Sequence, residues 1–314
     1  MDDLAVDLQR VSKRFTSTVA LEDLTLSIAR GSVFGVLGAN GAGKTTMIRI
    51  LLGLISADAG RARVLGLDPA SAAQAVRRRV GVLLEHDGLY ERMSALRNLE
   101  LFAAIHHLGR AERQARIESL LRTFGLWERR TERPAMWSTG MRKKLAIARS
   151  LLHRPALLLL DEPFAGLDPA AAVDLRELIS SYAKEQGLTV IMTTHDLAHA
   201  ERGCDRVVVI EAGRVLAEGT PDMLGTTSGL TEAEIVGDGL TLALLAAMQG
   251  EQLLSTYRLE GRTATVSCSA ANFPRLGTEL VRRGVQLEQL RKTGRSLEDA
   301  VLALMRREPG AESK

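Results

Sequence analysis

Residues 33–45 read VFGVLGANGAGKT. An apolar run with the look of a short buried strand, Val33 to Leu37, leads into a glycine-rich turn. The run TTMIRILLGLI then places its apolar residues at helical spacing. Few backbones accept that order. The glycines let successive N–H groups turn inward, and the new helix adds the positive end of its dipole, so strand, turn and helix together form a cradle for phosphate. Gly38, Ala39, Asn40, Gly41, Ala42, Gly43, Lys44 and Thr45 match every position of the G-x-x-x-x-G-K-[ST] pattern, with Thr46 following in the helix. Lys44 is expected to reach the β- and γ-phosphates of a nucleotide, and the Thr45 hydroxyl to hold Mg²⁺.

A phosphate cradle does not by itself name a machine, so the other strands matter. Ala156 to Leu160 forms a second apolar run that ends in Asp161 and Glu162, suiting the first acid to Mg²⁺ and the second to act as general base on a water. A helix from Pro169 and a further strand, LTVIMTT, ending at His195 complete an alternation of strands and helices that predicts a parallel α/β core. Between them, from about Ala70 to Leu152, strand signal is confined to Val80–Leu84 and the pattern is otherwise helical. VVVIEAGRVLAEG reads as a hairpin turning at Ala212 and Gly213.

At 314 residues, 46% hydrophobic and 25% charged, the chain is long enough for one large core or for a core plus an appended module. A net charge of +3 gives no case for a dedicated nucleic-acid or membrane-surface binder. Cys204 and Cys268 lie far apart without zinc-ligand spacing, so a reducing cytoplasm is the default. The start, MDDLAVDLQR, lacks the basic, apolar pattern of an export signal, and the longest apolar stretches fall short of the ~18 residues that span a bilayer. A membrane role therefore requires another chain to supply the membrane part.

The segment WSTGMRKKLAIARSLLHRPALLLLDEPFAGLDP resembles the signature, Walker B and D-loop of the nucleotide-binding subunit of ATP-binding cassette (ABC) transporters, in unbroken order. The resemblance covers about residues 4 to 220. It implies a P-loop NTPase fold of the ABC type, a RecA-like core with a helical subdomain, and ATP with Mg²⁺ as the ligands. Ser138 and Gly140 match the signature positions that bind the γ-phosphate of ATP held by a second subunit, so a head-to-tail dimer is implied. Phe15 matches the aromatic that stacks on adenine, Asp168 the D-loop aspartate that touches the partner, and His195 the switch histidine that orients water. Asp168 also suits the N-cap of the helix at Pro169.

The sequence departs from the family pattern in two places. Trp137, Thr139 and Met141 replace the first leucine, the first glycine and the glutamine of the usual signature, so Thr139 is expected to bear whatever backbone angles a glycine would accept freely. Glu85 stands where the family has the Q-loop glutamine and is expected to lie in the metal shell.

The expected organisation is a cassette over 1–224 with its helical subdomain at about 86–152, a linker at 225–229, and a small α+β module over 230–314. The module is expected to hold one apolar helix, strands around Tyr257 and Thr265, a helix through Leu276 to Arg283, and a last helix opening at Ser296 with Asp299 as its capping partner. It resembles the extension carried by drug-resistance and related ABC exporters, most clearly in SLEDAVLALM, and is expected to regulate the protein or stabilise a dimer. The resemblance implies a cytoplasmic ATPase, peripheral on the inner face of the cell membrane, that drives a separate integral-membrane permease in export. A soluble ABC ATPase acting on ribosomes or nucleic acid, or a non-hydrolysing partner cassette, are the alternatives; the chain has one cassette, neither a charged inter-cassette linker nor a long coiled-coil insert, and a full catalytic set.

Overall fold

The computed structural model describes residues 3–225, 230–269 and 271–293. Two compact units meet in sequence between Glu218 and Gly219. The first begins with the long strands β1 (Leu4–Phe15) and β2 (Thr18–Ala29), followed by β3 (Val33–Leu37) and α1 (Lys44–Leu51). Next come β4 (Ala59–Val64), α2 (Ala73–Arg77) and β5 (Val80–Leu83), then the helices α3 (Ala95–Ile105), α4 (Arg110–Thr123) and α5 (Thr139–Ser150). It closes with β6 (Leu157–Asp161), α6 (Pro169–Gln186), β7 (Thr189–Thr194), α7 (Leu197–Gly203), β8 (Arg206–Glu211) and β9 (Arg214–Gly219).

The main sheet has the order β5-β6-β7-β3-β8-β9, and its first five strands are parallel. Helices cover parallel strands on both sides, which is why β3, β6 and β7 read as unbroken apolar runs and are buried along their whole length. Leu157 to Leu160 are each at most 1% exposed. Burial of each such leucine contributes about 1.5–3 kcal/mol, and it anchors the two acids at the end of the strand. A separate antiparallel sheet, β2-β1-β4, packs its apolar face on α1. The strand β4 is one that the sequence pattern did not reveal: AGRARV exposes most of its residues and has little apolar alternation.

The helices α3, α4 and α5 share a core of Leu99, Ile117, Leu120, Phe124 and Leu145. Trp137 is buried at its edge, where a tryptophan is tolerated because its indole N–H donates to Glu132 at 2.9 Å.

The second unit holds α8 (Pro221–Gly225), β10 (Leu230–Asp238), α9 (Leu242–Gly250), β11 (Thr256–Glu260), β12 (Thr263–Ser269), α10 (Phe273–Arg282) and β13 (Gln286–Thr293). Its sheet runs β11-β12-β10-β13, all neighbours antiparallel, so β10 to β13 and the two intervening helices form a split β-α-β arrangement. Its own core includes Ala233, Ile235, Leu245, Val266, Leu276 and Leu280. The sequence reading located α9, α10, β11 and β12 but not α8, β10 or β13. The linker at 225–229 and the helix expected from Ser296 lie outside the described residues, apart from Gly225 at the end of α8.

Candidate active site

The turn between β3 and α1 is compact enough to need glycine at two positions. A Cβ on Gly38 would stand 2.3 Å from the Ile210 carbonyl oxygen, and one on Gly43, at φ +108°, 2.4 Å from that of Ala20. Gly43 caps α1 without a side chain, leaving the first N–H groups of the helix directed into the turn. Lys44 is 5% exposed; its ammonium donates to the carbonyls of Gly38 (2.6 Å) and Ala39 (3.2 Å) and lies 3.4 Å from Glu162 Oε1.

The end of β6 supplies the carboxylates. Thr45 Oγ1 donates to Asp161 Oδ2 at 3.1 Å, and Thr193 Oγ1, from the adjacent β7, donates to Asp161 Oδ1 at 2.6 Å. Glu162 has φ 49°, and its N–H reaches Thr193 Oγ1 at 3.0 Å. Its Oε2 lies 3.0 Å from His195 Nδ1, and its Oε1 is buried without a hydrogen-bond partner. The His195 side chain is 55% exposed, so one edge of this carboxylate faces buried Lys44 and the other an open imidazole. Buried Lys143, on α5, donates to the Glu162 carbonyl at 3.0 Å; burial pulls its pKa down against the opposing pull of Glu162, Asp87 and Asp161. The structure therefore brings Lys44, Thr45, Asp161, Glu162 and His195 together.

Two further predicted residues stand at helix starts. Ser138 caps α5, its Oγ accepting from Met141 N–H at 3.3 Å, and Asp168 caps α6, its Oδ1 accepting from Ala171 N–H at 2.9 Å. Both are exposed. The Phe15 ring, 43% exposed at the end of β1, has the Lys13 ammonium 5.5 Å from its centroid.

Comparison with known proteins bears on this arrangement. A sequence family described as ABC transporter matches residues 21–165. A daunorubicin resistance ATP-binding protein of Streptomyces coeruleorubidus is 38% identical over 302 residues, 96% of this chain and 93% of its own. A Nod factor export ATP-binding protein of Bradyrhizobium diazoefficiens is 37% identical over 311 residues, 98% of each. Among solved structures, a dimeric ATP-binding cassette in a post-hydrolysis state with ADP and Pi superposes with a TM-score of 0.61 at 27% identity, covering 68% of this chain and 98% of that one.

The chain belongs to the ATP-binding subunits of ABC transporters. As an ABC ATPase it carries the P-loop cassette fold and binds and hydrolyses ATP. This is the transporter reading, not the soluble alternative on ribosomes or nucleic acid. Among the described residues no helix is long and apolar enough to cross a membrane.

The two departures from the ABC pattern have definite places in the structure. Thr139 is the first residue of α5 and is absent from the residues with positive φ, so the strain expected there does not arise. Glu85 lies exposed on the bend after β5 and forms no hydrogen bond or ion pair with Thr45 or Asp161. Two residues on, Asp87 meets Arg142 of α5 at 2.8 Å; burial alone would raise its pKa, but the guanidinium and the Leu89 N–H together hold it below the usual carboxylate range.

Sequence reasoning missed Thr193 and Lys143. The first sits in TVIMTTHD and the second in MRKKL, where nothing separates it from Lys144; the structure turns Lys144 outward to Asp174.

Proposed function

We propose that Lys44, Thr45, Asp161, Glu162 and His195 carry out ATP hydrolysis at a site completed by Ser138 and Gly140 of a second copy, and that the work drives a separate membrane permease. The observation that carries this reading is the Glu162 carboxylate held between Lys44 and His195 one residue beyond the Asp161–Thr45 pair. The backbone N–H groups from Gly38 to Thr46 take the phosphates, and Lys44 exchanges its loop carbonyls for the β- and γ-oxygens. Glu162 accepts the proton of the attacking water, while His195 aligns that water and shares the carboxylate. Thr45 and Asp161 offer hard oxygen donors 3.1 Å apart, a set that fits Mg²⁺, which would supply charge neutralisation at the phosphates. Glu85, exposed on the bend after β5, would belong to the same metal shell. Phe15 offers a ring face to the adenine.

The homodimer draws support from the exposure of Ser138 at the start of α5, where the positive end of the helix dipole suits an anion, and from the dimeric cassette of similar fold. Asp168, exposed beside it, meets the partner. Export draws support from the two relatives, one named for drug resistance and one for Nod factor export. The chain would then sit in the cytoplasm against the inner membrane face, held by its permease, with the residues from about 230 onward as a regulatory or dimer-stabilising module after a cassette ending near 224.

The test is Glu162→Gln. Turnover is expected to fall by about a hundredfold or more while ATP is still bound, and light scattering is expected to show an ATP-dependent dimer. A variant that hydrolyses normally, or stays monomeric with ATP, contradicts the assignment. Mass spectrometry of the protein purified from detergent-solubilised cells should find a multi-spanning membrane protein at equal stoichiometry; ribosomal proteins in its place would overturn the transport role.

A further inference from the structure

Glu162 carries its side chain on a left-handed backbone, φ 49°, a conformation that a residue with a Cβ keeps only where its surroundings over-determine it. Both adjoining peptide groups are pinned. The N–H donates to Thr193 Oγ1 at 3.0 Å and to the Thr193 carbonyl at 3.2 Å, both fixed within the parallel sheet. The carbonyl accepts from Lys143 Nζ at 3.0 Å, and Lys143 comes from outside the sheet, on α5. Lys143 is 8% exposed. A buried ammonium is expensive to keep without a partner, and Lys143 donates to this carbonyl. Its neighbour Lys144 faces the surface, so the direction of Lys143 follows from the helix phase and not from a basic stretch.

We propose that Lys143 is a positioning residue for hydrolysis: it clamps the backbone of Glu162 from α5, so that the carboxylate keeps its aim between Lys44 and His195. This rests on the reading of Glu162 as the base. Ser138 opens the same helix. In the dimer proposed above, α5 therefore presents Ser138 to the partner's nucleotide while Lys143 grips the base of its own site, and a displacement of α5 at one site is felt by Glu162 at the other.

The experiment uses the full chain with the permease that co-purifies with it, and measures turnover against ATP concentration for the wild type, Lys143→Met, Lys143→Gln, Lys143→Arg, Glu162→Gln and the double variant Lys143→Met/Glu162→Gln. Lys143→Met keeps the length of the side chain and removes the donor. Its kcat is expected to fall about tenfold to a hundredfold with KM for ATP within about twofold, the size of effect that misalignment of a reacting group produces. Lys143→Gln or Lys143→Arg, which retain an N–H donor, are expected to recover most of that loss. In the Glu162→Gln background Lys143→Met should cost nothing further, because the group it positions is gone.

The proposal is overturned if Lys143→Met keeps its kcat, if KM rises in step with the loss, or if its effect multiplies with that of Glu162→Gln. Loss of ATP binding in all three Lys143 variants overturns it too, since that marks a purely structural lysine. Failure of the underlying reading looks different: Glu162→Gln then turns over normally. A wild type that is active, with Glu162→Gln inactive and Lys143→Met unchanged, removes this inference alone.

Discussion

His153, in the turn after α5, stacks on His106 at the end of α3, with ring centroids 4.0 Å apart and planes 3° from parallel. Its Nε2 is 3.2 Å from the Val80 carbonyl; a carbonyl only accepts, so Nε2 carries the hydrogen and the buried, unpartnered Nδ1 carries the lone pair. A proton on Nδ1 would place a charge in a desolvated pocket beside the His106 ring and Arg116. Burial first, then His106, and more weakly Arg116, outweigh the favourable bond to Val80 and push the pKa down to about 4. The folded ring thus refuses a proton that the unfolded chain takes up near pH 6.5. Stability from this group is complete above that value and is lost as pH falls from about 6.5 towards 4. Between pH 7.5 and pH 5 the linkage amounts to about 2 kcal/mol, and screening of a ring that is only part-buried reduces the expectation to about 1–2 kcal/mol. The assay is urea unfolding followed by the fluorescence of Trp127 and Trp137, both within the cassette, for wild type and His153→Phe. Phenylalanine keeps a flat ring against His106 and does not titrate. It should cost about 1 kcal/mol at pH 7.5, because the Val80 carbonyl loses its donor, and should then lose less stability on going to pH 5 than the wild type does, by the 1–2 kcal/mol above. Equal losses in the two proteins, or an NMR titration that puts His153 near 6.5, would refute the reasoning.

Two predictions concern the departures from the ABC pattern. Thr139→Gly is expected to destabilise α5 by about 0.5 kcal/mol and to leave turnover within about twofold, because the position is helical and asks nothing that only glycine provides; a severalfold gain in turnover would mean that the signature needs a glycine there. Glu85→Gln is expected to change the Mg²⁺ concentration at which ATPase activity is half-maximal, by removing a carboxylate from the ion's surroundings; an identical Mg²⁺ curve and rate would show that the substitution is neutral.

The strand–turn–helix around Lys44 and the acids ending β6 were legible in the sequence because their geometry is local. A contiguous run of residues sets the turn, the start of the helix and the end of the strand, so residue type and spacing carry the message. The helices α9 and α10 of the second unit and its strands β11 and β12 were readable for the same reason. The strand β10 was not, since LTEAEIVGD mixes acids with its apolar residues and becomes a strand by pairing with β12 and β13 on either side. What only the tertiary structure decided is which distant groups converge. Thr193 ties Asp161 and Glu162 together because β6 and β7 lie in parallel register, with Asp161 opposite Thr193. Lys143 and not Lys144 reaches the base because one residue turns a helix by about 100°, and burial first, with the His106 ring second, keeps His153 from taking up a proton. Strand register, helix phase and burial are properties of the packed chain, and a linear pattern of residue types fixes none of them between segments far apart in sequence.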